Sequence, residues 1–173
     1  MSETALDDQL ADVVAKQAIT EVLYRYCRGL DRMDRPMVDT VWHPGGTGDY
    51  GAIFNGTGEE FLDWVWPVHA SMRRHSHQIT NVLIEVDGDT AISEAYVTVC
   101  LRNEVEPGHL VDIVGRGRYV DRWSRRDGRW AIDHRRYVDD LTNVFDVPAS
   151  PMTDESGTGA ARDRTDPSYQ LFS

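Results

Sequence analysis

Only two cysteines occur in 173 residues, Cys27 and Cys100, and they are not spaced as CxxC. That excludes a disulfide scaffold and a zinc ribbon and fits a reducing compartment. No apolar run approaches the roughly 18 residues a membrane-spanning helix needs, so no membrane partner is expected. The opening "MSETALDDQLADVV" is acidic and lacks a basic segment leading into an apolar one. It is not read as a signal peptide, and the expected location is cytoplasmic. Basic residues are in deficit, 18 Lys and Arg against 29 Asp and Glu, for a net charge of −11. A nucleic-acid binder needs a basic face to neutralise phosphate, so that class is excluded. There is no GxGxxG, P-loop, HExxH or CxxC, so neither a nucleotide cofactor nor a metal is expected. Internal repeats and low-complexity tracts are also missing.

What is present is an ordinary globular composition, 40% hydrophobic and 27% charged, at a length suited to one domain with a real core. The first long element is "DDQLADVVAKQAITEVLYRYCRGLDRMD". Ile19, Val22, Leu23, Tyr26 and Leu30 form an apolar stripe at helical spacing. Gly29 and the polar run after Leu30 predict fraying there. Pro36 opens a short second helix, "PMVDTVW". A turn-rich stretch follows, with a short strand expected near Tyr50 to Phe54. A third helix begins near Thr57, capped by its hydroxyl with Glu60 three residues on. Pro67 should kink or end it.

From residue 75 the pattern changes to Val, Ile, Tyr and Thr. Residues 75–86, 90–105, 109–124 and 129–141 read as four strands, joined by "DGD", "EPGH" and "RRDGR" turns as consecutive hairpins. Helices first and a curved sheet second make an α+β domain, assigned to residues 1–145. Residues 146–173 lose periodicity and read as a mobile tail or extended arm. Its ending "SYQLF" leaves open docking on a neighbouring subunit or covering a pocket.

The chemistry centres on "RRHSHQITN", where His75 and His77 stand two apart on a strand and so point to one side. Three readings compete: a metal pair, a base with a bystander, or two surface residues. A metal needs a third ligand that the scattered His43, His69, His109 and His134 do not supply by pattern. Beside Arg73 and Arg74, His75 reads as rim or surface. His77 opens an alternation with Ile79 and Leu83 on one face, Val82, Ile84 and Val86 lying on the other. On the concave side of a sheet it is placed to act as a general base if a carboxylate orients it. Asp31 follows the helical stripe at a helix C-terminus, where a carboxylate is mildly unfavourable with the macrodipole. Tyr26 is either a core aromatic or a phenol directed into a pocket. The candidate pocket lining is Trp42, Tyr50, Phe54, Trp64, Tyr96 and Cys100, and the apolar supply of Trp42, Phe54, Trp64, Trp66, Tyr96 and Val97 points to a small hydrophobic, cyclic ligand.

The order "YCRGLD" closing a long helix, a third helix, "HQITN" entering a strand, and "RDGRWAI" in a hairpin meander resembles the SnoaL-like branch of the nuclear-transport-factor-two-like superfamily. The resemblance covers about residues 8 to 142. Among its enzymes the pattern is most similar to scytalone dehydratase, hexachlorocyclohexane dehydrochlorinase and bile acid 7α-dehydratase. It implies a cystatin-like α+β barrel: a cone of curved mixed sheet closed by the N-terminal helices, assembled as a homodimer or homotrimer. It also implies catalysis without a cofactor. Asp31 and His77 occupy the positions of the dehydrochlorinase-type pair, and Tyr26 precedes Asp31 as in the bile acid dehydratase pattern. Arg135 in "WAIDHRR" matches the last-strand arginine, with Arg136 facing the opposite way. Where the pattern has a mid-sheet carboxylate, "VTVCLRN" offers Cys100 instead. The implied activity is β-elimination, as in a dehydratase or dehydrohalogenase, or an isomerisation. A non-catalytic ligand-binding protein of the same fold, or a subunit like the β subunits of ring-hydroxylating dioxygenases, are the alternatives.

Overall fold

The apolar stripe of the first helix sets the architecture, because it must be covered. In the computed structural model, which describes residues 3–148 and 159–171, helix α1 (Glu3–Asp31) buries Ile19, Leu23, Tyr26 and Leu30 completely or nearly so. The helix passes through Gly29 and ends at Asp31, in the polar run after Leu30 where its end was expected. Gly29 is also required by a close approach: a Cβ there would lie 2.3 Å from the Val38 side chain. Helix α2 is a single turn, Arg35–Val38, capped by the Asp34 side chain with proline at its start. It stops short of the expected "PMVDTVW", because Trp42 already belongs to a strand.

That strand, β1 (Trp42–Asp49), pairs with β2 (Asn55–Thr57) as a hairpin. Residues 50–54, expected to be the strand, are the turn between them, closed by the Tyr50 N–H on the Phe54 carbonyl at 2.8 Å. Glycines disguise β1 as a loop. Gly46 is needed because the strand runs tight against its neighbour, where a Cβ would meet the Ile132 carbonyl at 2.6 Å, and Gly45 takes a positive φ of 77°. Helix α3 (Gly58–Ser71) carries the capping box: the Thr57 hydroxyl accepts the Glu60 N–H, and the Glu60 carboxylate accepts the Thr57 N–H at 2.8 Å. Pro67 lies inside α3 and the helix continues past it.

The meander follows as β3 (Arg74–Asp87), β4 (Thr90–Glu106), β5 (His109–Arg126) and β6 (Arg129–Val147). One curved, unclosed mixed sheet results, in the order β2-β1-β6-β5-β4-β3, with β1 parallel to β6 and the other pairs antiparallel. The helices cover its inner face, where the residues of α1 and α3 meet Ala95, Val97, Tyr119, Trp123 and Ile132 in one core. Strand β3 contains a bulge: Asn81 has φ 48° and the register shifts between Thr80 and Leu83. One extra residue reverses the alternation. Val82, Ile84 and Val86 therefore continue the inner face begun by His77 and Ile79, and Leu83 is 70% exposed. This corrects the expected grouping of Leu83 with His77. Among the described residues no helix is long and apolar enough to cross a membrane.

Candidate functional site

Asp31 is the last residue of α1, and the packing of α1 on β3 brings it to His77. Its Oδ1 accepts Nδ1–H of His77 at 2.7 Å, and its Oδ2 accepts the His77 backbone N–H at 2.9 Å. The side chains are 13% and 5% exposed. With Nδ1 donating, Nε2 of the neutral ring is left as the basic nitrogen. His75 lies on the same side of β3, as the strand period requires, but it is not a rim residue. It is buried, and its Nε2–H donates to the Leu30 carbonyl at 3.0 Å. The free carbonyls at the end of a helix need such a donor. The surface reading fails because the C-terminus of α1 covers this end of β3.

A third histidine joins the two. His69, in the last turn of α3, stacks on His75 with ring centroids 4.4 Å apart and lies 5.6 Å from His77. Burial, then the neighbouring His77 and His75, push its pKa down to about 3. Burial also lowers His75, offset in part by its bond to the Leu30 carbonyl. Both rings therefore stay neutral beside His77. Pattern alone did not single out His69; only its position one helical turn below Val65 on the buried face of α3 hinted at it.

Deeper in the cone, Arg135 is fully buried and holds Asp121 through two bonds, Nε to Oδ1 at 2.8 Å and Nη2 to Oδ2 at 2.7 Å. Burial works against its charge, but the Asp121 carboxylate more than restores it, so its pKa stands well above the ordinary range. The guanidinium carbon lies 3.9 Å from the Tyr119 ring centroid and 4.4 Å from that of Tyr26. Its Nη1 is buried with no hydrogen-bond partner among the described residues. Arg136 faces outward to Asp49, as the alternation requires. Asp121 was not among the expected residues. The signal was there: Tyr119, Asp121 and Trp123 share one apolar face of β5, and a carboxylate on such a face needs a partner.

Tyr26 points into the cone with its hydroxyl 3.2 Å from that of Tyr50, and its ring stands edge-on to His77 at 6.3 Å. Burial raises the pKa of both tyrosines, so both remain neutral phenols. Trp42 packs between Tyr26 and Phe61, and Tyr50 stacks on Phe61 at 4.3 Å. Phe54 and Trp64 extend this aromatic wall outward, Trp64 being 37% exposed. Tyr96 and Cys100 do not join it, although Cys100 lines a cavity beside Asp31. Ala91, Ser93, Ala95 and Val97 of β4 point inward, so the period of two turns Tyr96 and Cys100 to the outer face, where both are exposed.

Residues 159–171 return to the same end of α1. The Tyr169 hydroxyl donates to Asp34 at 2.7 Å, Arg32 lies 3.2 Å from Asp166, and Arg162 Nη1 donates to the His69 carbonyl at 2.7 Å. The part of the expected tail at residues 149–158, and Phe172 of "SYQLF", lie outside the described residues.

Residues 11–136 match the SnoaL-like domain, and the chain belongs to that family. Solved structures agree on the fold. The putative scytalone dehydratase of Novosphingobium aromaticivorans is 21% identical, with a TM-score of 0.66 and coverage of 84% of this chain and 97% of that one. A hexachlorocyclohexane dehydrochlorinase, LinA type 2, is 20% identical at a TM-score of 0.69, covering 80% and 95%. A point variant of Rv3472, a protein of unknown function from Mycobacterium tuberculosis, is 26% identical at a TM-score of 0.63, covering 78% and 75%. Among curated proteins none matches the sequence.

Proposed function

We propose that this chain is a cofactor-independent lyase or isomerase whose general base is His77, oriented by Asp31. The observation that carries the reading is the Asp31–His77 pair itself: a carboxylate 2.7 Å from Nδ1 in a nearly closed setting. A carboxylate so placed fixes the tautomer and stabilises the imidazolium that forms, the role of the third member of a hydrolase triad. In the elimination, Nε2 of His77 takes a proton from a substrate carbon. The electron pair of that C–H bond becomes the new C=C bond, and the leaving group departs from the adjacent carbon with its own bonding pair. Hydroxide or halide is the leaving group in a dehydration or dehydrohalogenation. Tyr26 and Tyr50, kept neutral, would donate hydrogen bonds to the departing or enolate oxygen, and the charge of Arg135 would favour it through the aromatic wall. In an isomerisation the proton returns to another carbon of the same delocalised anion.

The aromatic surfaces of Trp42, Tyr50 and Phe54 favour a small hydrophobic, cyclic substrate. The test is to assay His77→Ala against a panel of hydroxylated and halogenated cyclic compounds on which the wild type is active. A loss of about 10²–10⁴-fold is expected for removal of a general base. A folded His77→Ala protein with full activity would overturn the reading.

A further inference from the structure

Beside Asp31, the protein opens into a cavity of about 760 Å³, within the range of roughly 300–1,000 Å³ typical of small-molecule sites. Its lining runs from Asp31 and His75, across Arg74, Arg102 and Asp112 on the ends of β3, β4 and β5, to Arg162 of the C-terminal segment. Five arginines and two aspartates line it, in a chain whose net charge is −11. Three of these arginines have a carboxylate. Arg102 makes two bonds of 2.7 Å to Asp112, Arg32 lies 3.2 Å from Asp166, and Arg73 lies 3.6 Å from Glu104.

Arg74 and Arg162 have no carboxylate among the described residues. Arg74 stands directly across from Arg102 in the β3–β4 register, where like charges repel. Arg162 is half-buried, and its position is set by the bond from Nη1 to the His69 carbonyl. A guanidinium has five N–H donors in a planar fork, so the rest of this one remains available to a ligand. A partly desolvated cation without a counter-ion is unfavourable, and an incoming anion relieves that.

We infer that this cavity binds a small organic anion, a carboxylate or phosphate held by Arg74 and Arg162. This does not rest on the catalytic reading above, because His77 is not among the residues lining the cavity. The test is calorimetric titration at low salt with 2-naphthoate, 2-naphthyl phosphate and the neutral 2-naphthamide. At least one anion is expected to bind about ten-fold tighter than the amide or better, the scale of charge-assisted hydrogen bonds, and to weaken as salt is added. The preference should vanish in the Arg74→Gln/Arg162→Gln variant and survive in Arg74→Lys/Arg162→Lys. Equal binding of the amide and both anions, or a glutamine variant that keeps the preference, would overturn the inference. Titrated in parallel, His77→Ala is expected to keep the anion preference. A failed catalytic pair thus leaves the anion site standing, and a failed anion site leaves the pair standing.

Discussion

Asp31 makes both of its short hydrogen bonds to a single residue, taking the backbone N–H of His77 on Oδ2 and the ring N–H on Oδ1. The side chain therefore does two separable things. One bond ties the end of α1 to β3, and the other sets the imidazole tautomer.

Substitution of Asp31 should separate these effects. In Asp31→Asn one amide oxygen can still accept the backbone N–H, so the fold is expected to hold while the ring loses its carboxylate. Asp31→Ala leaves that N–H without its acceptor, at a cost of about 1–3 kcal/mol if it stays buried. Urea unfolding of the two variants should show the alanine protein less stable than the asparagine protein, with both losing activity. Equal stabilities would show that the backbone bond contributes nothing.

The Arg135–Asp121 pair is fully buried, so breaking it from one side strands a charge. Asp121→Ala is expected to destabilise the protein by about 3–5 kcal/mol. The double replacement Asp121→Leu/Arg135→Met should recover much of that loss, since apolar groups of similar volume remove the desolvation cost. A double-mutant cycle by chemical denaturation measures the coupling. Additive losses would contradict it.

Acid should weaken the fold through the histidine stack. His69 is held near 3 against an ordinary value of 6.5, and His75 is lowered as well. A base with a depressed pKa stays neutral in the folded state while the unfolded chain takes up a proton. Its stabilising contribution is thus complete above about pH 6.5 and is lost as the pH falls from there toward 3. Unfolding free energies measured at pH 7 and pH 4.5 should differ less for His69→Leu than for the wild type.

The bulge in β3 rests on Asn81 at φ 48°. Asn81→Val would put a β-branched residue in the left-handed region, at a cost of about 1–2 kcal/mol, whereas Asn81→Gly should be neutral or nearly so. Thermal melts of both variants check this; a valine variant as stable as the wild type would mean the bulge relocates.

Much of this was legible in the chain. The stripe of α1 required burial, the capping box placed the start of α3, and the turn residues at 87–89, 106–109 and 125–129 marked the meander. The resemblance carried by "YCRGLD" and "HQITN" brought Asp31 and His77 forward, and the distance between them is that of a hydrogen bond. Strand β1 was not legible, because Gly46 answers to a neighbouring backbone and Gly45 to a positive φ rather than to a periodic pattern. Nor was the outward turn of Tyr96 and Cys100: either phase of a strand is open until one face is covered.

By itself the sequence determined the fold class, the order of the elements and the residue types at the end of α1 and the start of β3. These follow from local periodicity, capping and turn chemistry, which act over a few residues. Tertiary structure alone decided that His75 binds a helix carbonyl, that His69 stacks on it, and that Arg135 finds Asp121. Those are pairings between distant segments, chosen only when desolvation makes each buried polar group find a partner.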